Sequence, residues 1–452
     1  MRRVVGICLV FVLSLACLSS SEALDKKEIK LANGLTVIHV QRTALPVVVA
    51  SMLIKASPLY ESADKPGTAY IASSMLMEGT TSRTGLDISS AIEFMGASLG
   101  ASTNSDFTTI SLSALKKDAD RAFGIFSDVV MNPSFPEADL LRKKRILKGS
   151  LLQKEEDHSY VAQKRFMKEL FGAEHPYGRL VSGSAEDIDK ITRADIEEYH
   201  RQKYRPDQAI LSVVGDISHE ELLDLVKKYF SKWQPKTKDV VNNPIAAIKP
   251  LASAIAVGID KKTTQATIIF GHPGISRSNP DYYAVSVMNY ILGGGGFASR
   301  LMDVVREKRG LTYGIYSSFS AHKEPGAFSI SVQTKNESAD EVLSIIKSEM
   351  QRIRKEQVSD AELADAKSFM TGSFPRRFET TSRIADFLVA AKFYDLPEDY
   401  IEKYSSYINS VTKQEILRVA RKYLSDENYL VVIAGDRSKM KLRNMQFFKD
   451  LK

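Results

Sequence analysis

Cysteine is nearly absent from this sequence. There are two in 452 residues, Cys8 and Cys17, and both fall within the first 23. No disulfide framework can be built from them, so stability has to come from a buried core. Histidine is scarce as well, at seven residues, and no two stand four apart. That spacing is what a helical pair of zinc ligands needs. The apolar run Val4 to Leu18 is about 15 residues, too short to span a bilayer comfortably, and the rest of the chain holds no transmembrane candidate. The basic clusters Arg142-Lys143-Lys144-Arg145 and Arg352-Arg354-Lys355 lie in helical patterns without interleaved aromatics. They read as solvated helix faces, not as a nucleic-acid surface.

The first 23 residues have the form of an export signal. Arg2 and Arg3 form the basic end, Val4 to Leu18 the apolar core, and Ser21-Glu22-Ala23 a small-x-small cleavage site. Cleavage there would remove two Arg and one Glu, lowering the net charge from +7 to +6. A bacterial periplasm suits an exported chain without disulfides. A cut before Cys17, in Ser14-Leu15-Ala16-Cys17, would instead give a lipid-anchored protein, but Ser14 fits that pattern less well.

What is present is ordinary soluble globular composition, 44% hydrophobic and 26% charged. The length suits two to four domains. Residues 30–41 and 46–54 alternate as strands, with a turn signal at Asn33-Gly34. Gly67 to Glu78 reads as a helix, another follows Thr84, and 108–114 is a period-two strand. Helical patterns cover about 116–130, 138–156 and 161–171, with the acidic run ending at Asp157 read as a solvated helix end beside His158. The segment 174–180 (EHPYGRL) reads as a loop, with His175 at the domain surface. Thr192 caps a helix to about 202, a strand covers Ala209 to Val214, and a helix runs to about Lys232. Prolines and asparagines mark 235–252 as a linker. Beyond it come strands at 254–259, 264–271, 326–334 and 429–434. Helices are expected at about 280–292, 338–355, 360–372, 381–393 and 412–423.

The second part repeats the first. At an offset of 220, Ile188, Thr192, Ile196, Arg201, Gly215 and Asp216 meet identical residues in Ile408 to Asp436. The helix start at 135–141 (FPEADLL) has a counterpart at 358–364 (VSDAELA). A period this long means two copies of one domain. The predicted class is α+β, each copy a mostly antiparallel sheet with helices packed on one face. The expected division is a signal at 1–23, a first domain at 24–234, a linker at 235–252 and a second domain at 253–452.

The densest functional signal is 293–313, GGGGFASRLMDVVREKRGLTY. Gly293, Gly294, Gly295 and Gly296 read as a loop. A helical segment follows, with Phe297, Leu301, Val304 and Val305 on one face, ended by Gly310. Arg306 and Tyr313 then stand seven residues apart at a helix-to-strand junction, a pair suited to a carbonyl or carboxylate. The plainer alternatives are a mobile connector, a dipole-favoured arginine and a half-buried tyrosine.

Taken together, the duplication, HPYG at 175–178, VVGD at 213–216, IAGD at 433–436 and the 293–313 stretch resemble the insulinase/pitrilysin family of zinc peptidases. The bacterial and mitochondrial processing-peptidase branch is the nearer likeness, over essentially all of 26–440. The family's inverted zinc motif, His-x-x-Glu-His, maps onto residues 67–80. There the resemblance puts Tyr70 and Ser74 at the histidine positions and Ser73 at the glutamate. The third ligand, a Glu in the family, maps near Gly149 or Ser150. None of these is a usual zinc donor. The resemblance therefore implies a chain that binds no cofactor itself, with zinc on a homologous partner subunit in a heterodimer. It also implies that Arg306 and Tyr313, flanked by Gly293–Gly296, bind peptide substrate for that partner's site. The alternative is a non-proteolytic scaffold or peptide-binding protein of the same fold.

Overall fold

Apolar alternation in short segments builds two six-stranded sheets of matching order, one in each half of the chain. The computed structural model describes residues 25–235, 245–440, 442 and 448–450. The stretch read as an export signal, Cys17 within it, and linker residues 236–244 lie outside the described residues. The first sheet holds β1 (Lys26–Lys30), β2 (Thr36–Gln41), β3 (Val47–Ile54), β4 (Ser98–Thr103), β5 (Thr108–Leu115) and β6 (Ala209–Gly215). Their order is β1-β2-β6-β3-β5-β4, antiparallel except for the β2/β6 pair. The second holds β7 (Ile255–Asp260), β8 (Gln265–Pro273), β9 (Ile315–Phe319), β10 (Ala327–Lys335), β11 (Leu430–Gly435) and β12 (Phe448–Asp450). Its order is β12-β7-β11-β8-β10-β9, with β7 parallel to both β11 and β12. The fold is the expected duplicated α+β arrangement.

The internal repeat has a physical basis at each matched position. Thr192 and Thr412 both cap helices, each hydroxyl accepting from the backbone N–H three residues on. The reciprocal bonds run from the Thr192 and Thr412 N–H groups to Asp195 and Glu415. Ile188, Ile196, Ile408 and Ile416 are all buried. Strand β5 keeps its period-two burial along its whole length, as a sheet with one covered face requires. Central β6 and β11 are buried at every residue, so something covers both of their faces.

That second cover comes from the opposite half. Helix His158–Phe171, from the first half, packs Ala162, Phe166 and Leu170 against Val257, Ile269, Leu430 and Val432. Helix Thr381–Phe393, from the second half, packs Ile384, Leu388 and Val389 against Ile38, Val49, Leu53 and Val214. Each half thus donates one helix to the other's sheet, and each sheet carries its own helices on the remaining face. Described linker residues Ile245, Ile248 and Leu251 pack on the same seam.

Several expectations need correcting. The acidic run before His158 is the solvated end of helix Glu137–Lys154, as expected, but it also begins the next helix. Asp157 accepts from the Ser159 and Tyr160 N–H groups and starts a new helix there. Strands β1, β4 and β12 and helices Ala185–Lys190 and Tyr400–Asn409 had no clear sequence signal. His175 is not a surface residue but lies buried at the seam, stacked on Phe171.

Candidate functional site

The segment aligned with the zinc motif folds as a short helix, Thr68–Met75, followed by a 3-10 turn at Leu76–Glu78. It begins at Gly67, whose φ of 95° favours glycine. A Cβ there would lie 2.4 Å from the Ser182 carbonyl oxygen. Glu61 covers the helix start, one carboxylate oxygen accepting from the Gly67 N–H and the other from the Ala69 N–H, each at 3.1 Å. Burial pushes the Glu61 carboxyl up to about 7 in spite of those two bonds. No sequence pattern pointed to Glu61.

Two of the three motif positions are closed by hydroxyl bonding. Ser73 is buried; its hydroxyl donates to the Tyr70 carbonyl at 2.9 Å and accepts from Thr103 at 2.7 Å. Thr103 in turn stands 2.7 Å from Thr108, which donates to the Ala56 carbonyl. The Ser74 hydroxyl donates to the Ile71 carbonyl at 2.8 Å. Tyr70 and Leu147 both pack on the first-half core. Gly149 and Ser150, where a third ligand was expected, lie on the exposed side of helix Glu137–Lys154. A zinc ion takes imidazole, thiolate or carboxylate donors. A phenol and two committed hydroxyls do not fit it. Among the described residues no group of three or more His, Cys, Asp or Glu is placed to hold a metal.

The second-half stretch is built differently from the loop that was expected. Helix Tyr282–Asn289 runs on into a π-helical turn, Tyr290–Gly294, so Gly293 and Gly294 belong to it. A Cβ on Gly293 would lie 2.8 Å from the Ser317 backbone nitrogen of β9. This glycine lets the turn lie directly on the strand. Gly295 faces the Tyr290 ring, and only Gly296, at φ 58°, opens to free space. A second π-helical segment, Met302–Lys308, carries Arg306. Leu301, Met302 and Val305 are buried, while Phe297, in a separate 3-10 turn at Gly296–Ala298, is 69% exposed and does not share their face.

Arg306 is half-buried, with its guanidinium carbon 4.4 Å from the centre of the Phe297 ring. Its Nη1 donates to the Glu307 carboxylate at 2.8 Å. Tyr313 is 89% exposed, which removes the half-buried alternative. Its backbone is nevertheless pinned. The Thr312 hydroxyl donates to the Gln333 carbonyl at 2.6 Å, and the Thr334 hydroxyl donates to the Leu311 carbonyl at 2.6 Å. Strand β9 follows as the sheet's open edge, with Tyr316 also exposed.

Comparison with known proteins matches each half of the chain to a related family model. The family described as insulinase (peptidase family M16) matches residues 36–181. The family described as peptidase M16 inactive domain matches 190–370. A crystal structure of a peptidase M16 inactive domain from Pseudomonas fluorescens is 30% identical, with a TM-score of 0.85 over 92% of this chain and 99% of that one. The chain belongs to the insulinase family. A protease structure from Helicobacter pylori, 20% identical with a TM-score of 0.84, shares the fold over 90% of this chain and 99% of its own. Insulinase-family relatives called uncharacterized zinc proteases include one from Streptomyces coelicolor. It is 27% identical over 83% of this chain and 82% of its own length. Another, from Mycobacterium tuberculosis, is 26% identical over 93% and 95%. Within this insulinase-family chain the inactive-domain match begins at 190, ahead of β6, the last strand of the first half.

Proposed function

We propose that the chain is the zinc-less subunit of a periplasmic insulinase-family peptidase. It lends Arg306 and Tyr313 to a site completed by a zinc-bearing homologous subunit that cleaves peptides. The observation that carries this is the contrast between the two halves. Ser73 and Ser74, aligned with the zinc motif, are spent on internal hydroxyl bonds, and Tyr70 packs on the core. Tyr313, by comparison, holds its phenol in solvent on a pinned backbone, where burial gives it no structural duty. A phenol and a guanidinium acting together suit a peptide carbonyl or the oxyanion that develops from it. The open edge of β9 offers extended peptides main-chain pairing. The family name of relatives, zinc protease, describes ancestry for this chain and not a metal of its own.

The test is a peptidase assay on an unstructured peptide mixture. It compares this chain alone, a zinc-bearing homologue from the same cell alone, and the two combined. The expected result is activity that rises on mixing and falls roughly a hundredfold with Arg306→Ala or Tyr313→Phe, the scale for losing one transition-state donor. A mixture that cleaves equally well with either variant refutes the shared site. A zinc-loaded homologue that gains nothing on mixing favours a non-proteolytic scaffold.

A further inference from the structure

The Arg306 guanidinium is held on two sides. One face rests on the Phe297 ring at 4.4 Å, and Nη1 is occupied by the Glu307 carboxylate at 2.8 Å. The neighbouring charges are already spoken for. Lys308 bonds Asp303 at 2.6 Å, and Arg309 bonds Glu341 at 3.2 Å. Glu307 is therefore the carboxylate that answers Arg306. A free arginine side chain carries considerable rotamer entropy, much of which a stacked and bonded one has already lost. What remains open are the Nε and Nη2 hydrogens and the ring-free face.

Charge then selects the ligand. A guanidinium with its own carboxylate is close to neutral as a unit. A peptide carbonyl can take the free N–H groups without disturbing that pair. A carboxylate would meet Glu307 at short range, and like charges there oppose binding. We propose that Phe297 and Glu307 are positioning residues for Arg306, and that they tune the Arg306–Tyr313 site to carbonyls within a peptide chain over a free C-terminal carboxylate. This rests on Arg306 and Tyr313 being a peptide-binding pair.

The experiment measures binding of an acetylated tetrapeptide to the full chain, as the C-terminal amide and as the free acid. Side-chain NMR of Arg306, assigned through Arg306→Lys, runs alongside. The amide is expected to bind more tightly than the acid, and Glu307→Gln to erase that preference. Phe297→Leu should weaken both peptides about two- to fivefold, the scale of an exposed cation–π contact, and Phe297→Tyr should restore them. The ring-current shift on the Arg306 side chain should vanish with Leu and persist with Tyr. Arg306→Ala binding as well as wild type would overturn the peptide-binding reading itself. Binding lost in Arg306→Ala but unchanged in Phe297→Leu and Glu307→Gln would overturn only the positioning proposal.

Discussion

The Tyr394 hydroxyl, from the second half, donates to the Asp106 carboxylate of the first at 2.6 Å, and Asp106 is 1% exposed. Three more groups converge on the same carboxylate. The Tyr177 hydroxyl of the HPYG segment donates at 2.6 Å, the Lys323 N–H donates at 3.1 Å, and His322 Nδ1 stands at 3.3 Å. Two of these come from the loop between β9 and β10. A single buried anion thus ties the end of helix Thr381–Phe393, the β9–β10 loop and the HPYG turn together. This gives the HPYG tyrosine a structural role.

Asp106→Asn should therefore loosen the junction between the halves. An amide brings its own donors against hydroxyls and an N–H, at a cost of about 2–4 kcal/mol. Tyr394→Phe should cost less, about 1–2 kcal/mol. Burial alone would raise the Asp106 pKa, but the bonds from His322, Tyr177 and Tyr394 outweigh it and hold the carboxyl below its ordinary 3.8. A lowered carboxyl contributes stability that is present above the unfolded value and is lost as pH falls through the folded one. The denaturation gap between wild type and Asp106→Asn should close below pH 3.8. A gap that stays constant to pH 2 would contradict this account.

The exchanged helices predict one cooperative unfolding unit. Phe166 is fully buried against the second sheet, so Phe166→Ala should cost about 3–5 kcal/mol. In the reciprocal helix, Leu388→Ala should cost about 2–5 kcal/mol. Gly271 is where Phe166 seats: a Cβ there would lie 2.8 Å from the ring and 2.1 Å from the Phe328 carbonyl oxygen. Gly271→Ala should destabilise by about 1–3 kcal/mol through overpacking. Phe166→Ala should rescue it only in part, because the Phe328 carbonyl remains. Calorimetry should give one transition for every variant. Two separate transitions would mean that the halves do not depend on each other.

Glu61 predicts a second, opposite pH effect. Its carboxyl sits at about 7 in the folded chain against an ordinary 4.5. Between those values the folded state holds a proton that the unfolded state releases, so stability falls as pH rises from about 4.5 to about 7. It is level above that. The full drop is roughly 3 kcal/mol. Glu61→Gln mimics the protonated group and should flatten this part of the profile. Chemical denaturation at a series of pH values reads it directly, and an equal slope in the variant would rule Glu61 out.

How much of this the sequence disclosed depends on the range of the interaction. The caps at Thr192 and Thr412 and the alternation of β5 are local, and they were legible. Helices 161–171 and 381–393 were also legible as helices. Their amphipathic pattern marks a buried face but not which sheet it meets, so the exchange between halves was not. Strand β4 (SLGAST) has weak strand composition and forms because β5 offers it a ladder. Asp106 had no signal, because its partners lie 71 to 288 residues away. Phe297 was misread for a different reason. An α-helical period assigns it to the face of Leu301 and Val305, while it sits in a separate 3-10 turn, Gly296–Ala298, that an extended Ser299 breaks from the helix. Arg306 and Tyr313 stood out by their place at a helix-to-strand junction, the resemblance gave them a role, and only the structure put the tyrosine in solvent.

The closed zinc positions yield a prediction that separates them by burial. Ser73 is 2% exposed and bonded on both sides. Ser73→Glu would push a longer side chain and a carboxylate into that space. It would also break the Thr103 bond, with a cost of several kcal/mol, about 3 or more. Ser74 is only partly buried, and its one bond returns to its own helix at Ile71. Ser74→His should cost about 1 kcal/mol or less, the scale of a helix-surface change. Tyr70→His at its partly buried site should fall between the two. If Ser73→Glu were as stable as wild type, the first half would still hold an open motif site, and its closure could not be what separates this chain from a zinc-bearing relative. If the ranking is found, regaining a metal site here requires repacking Thr103 and Thr108 as well as exchanging the three motif residues. Loss of zinc would then be fixed by the packing around the helix and not by the helix alone.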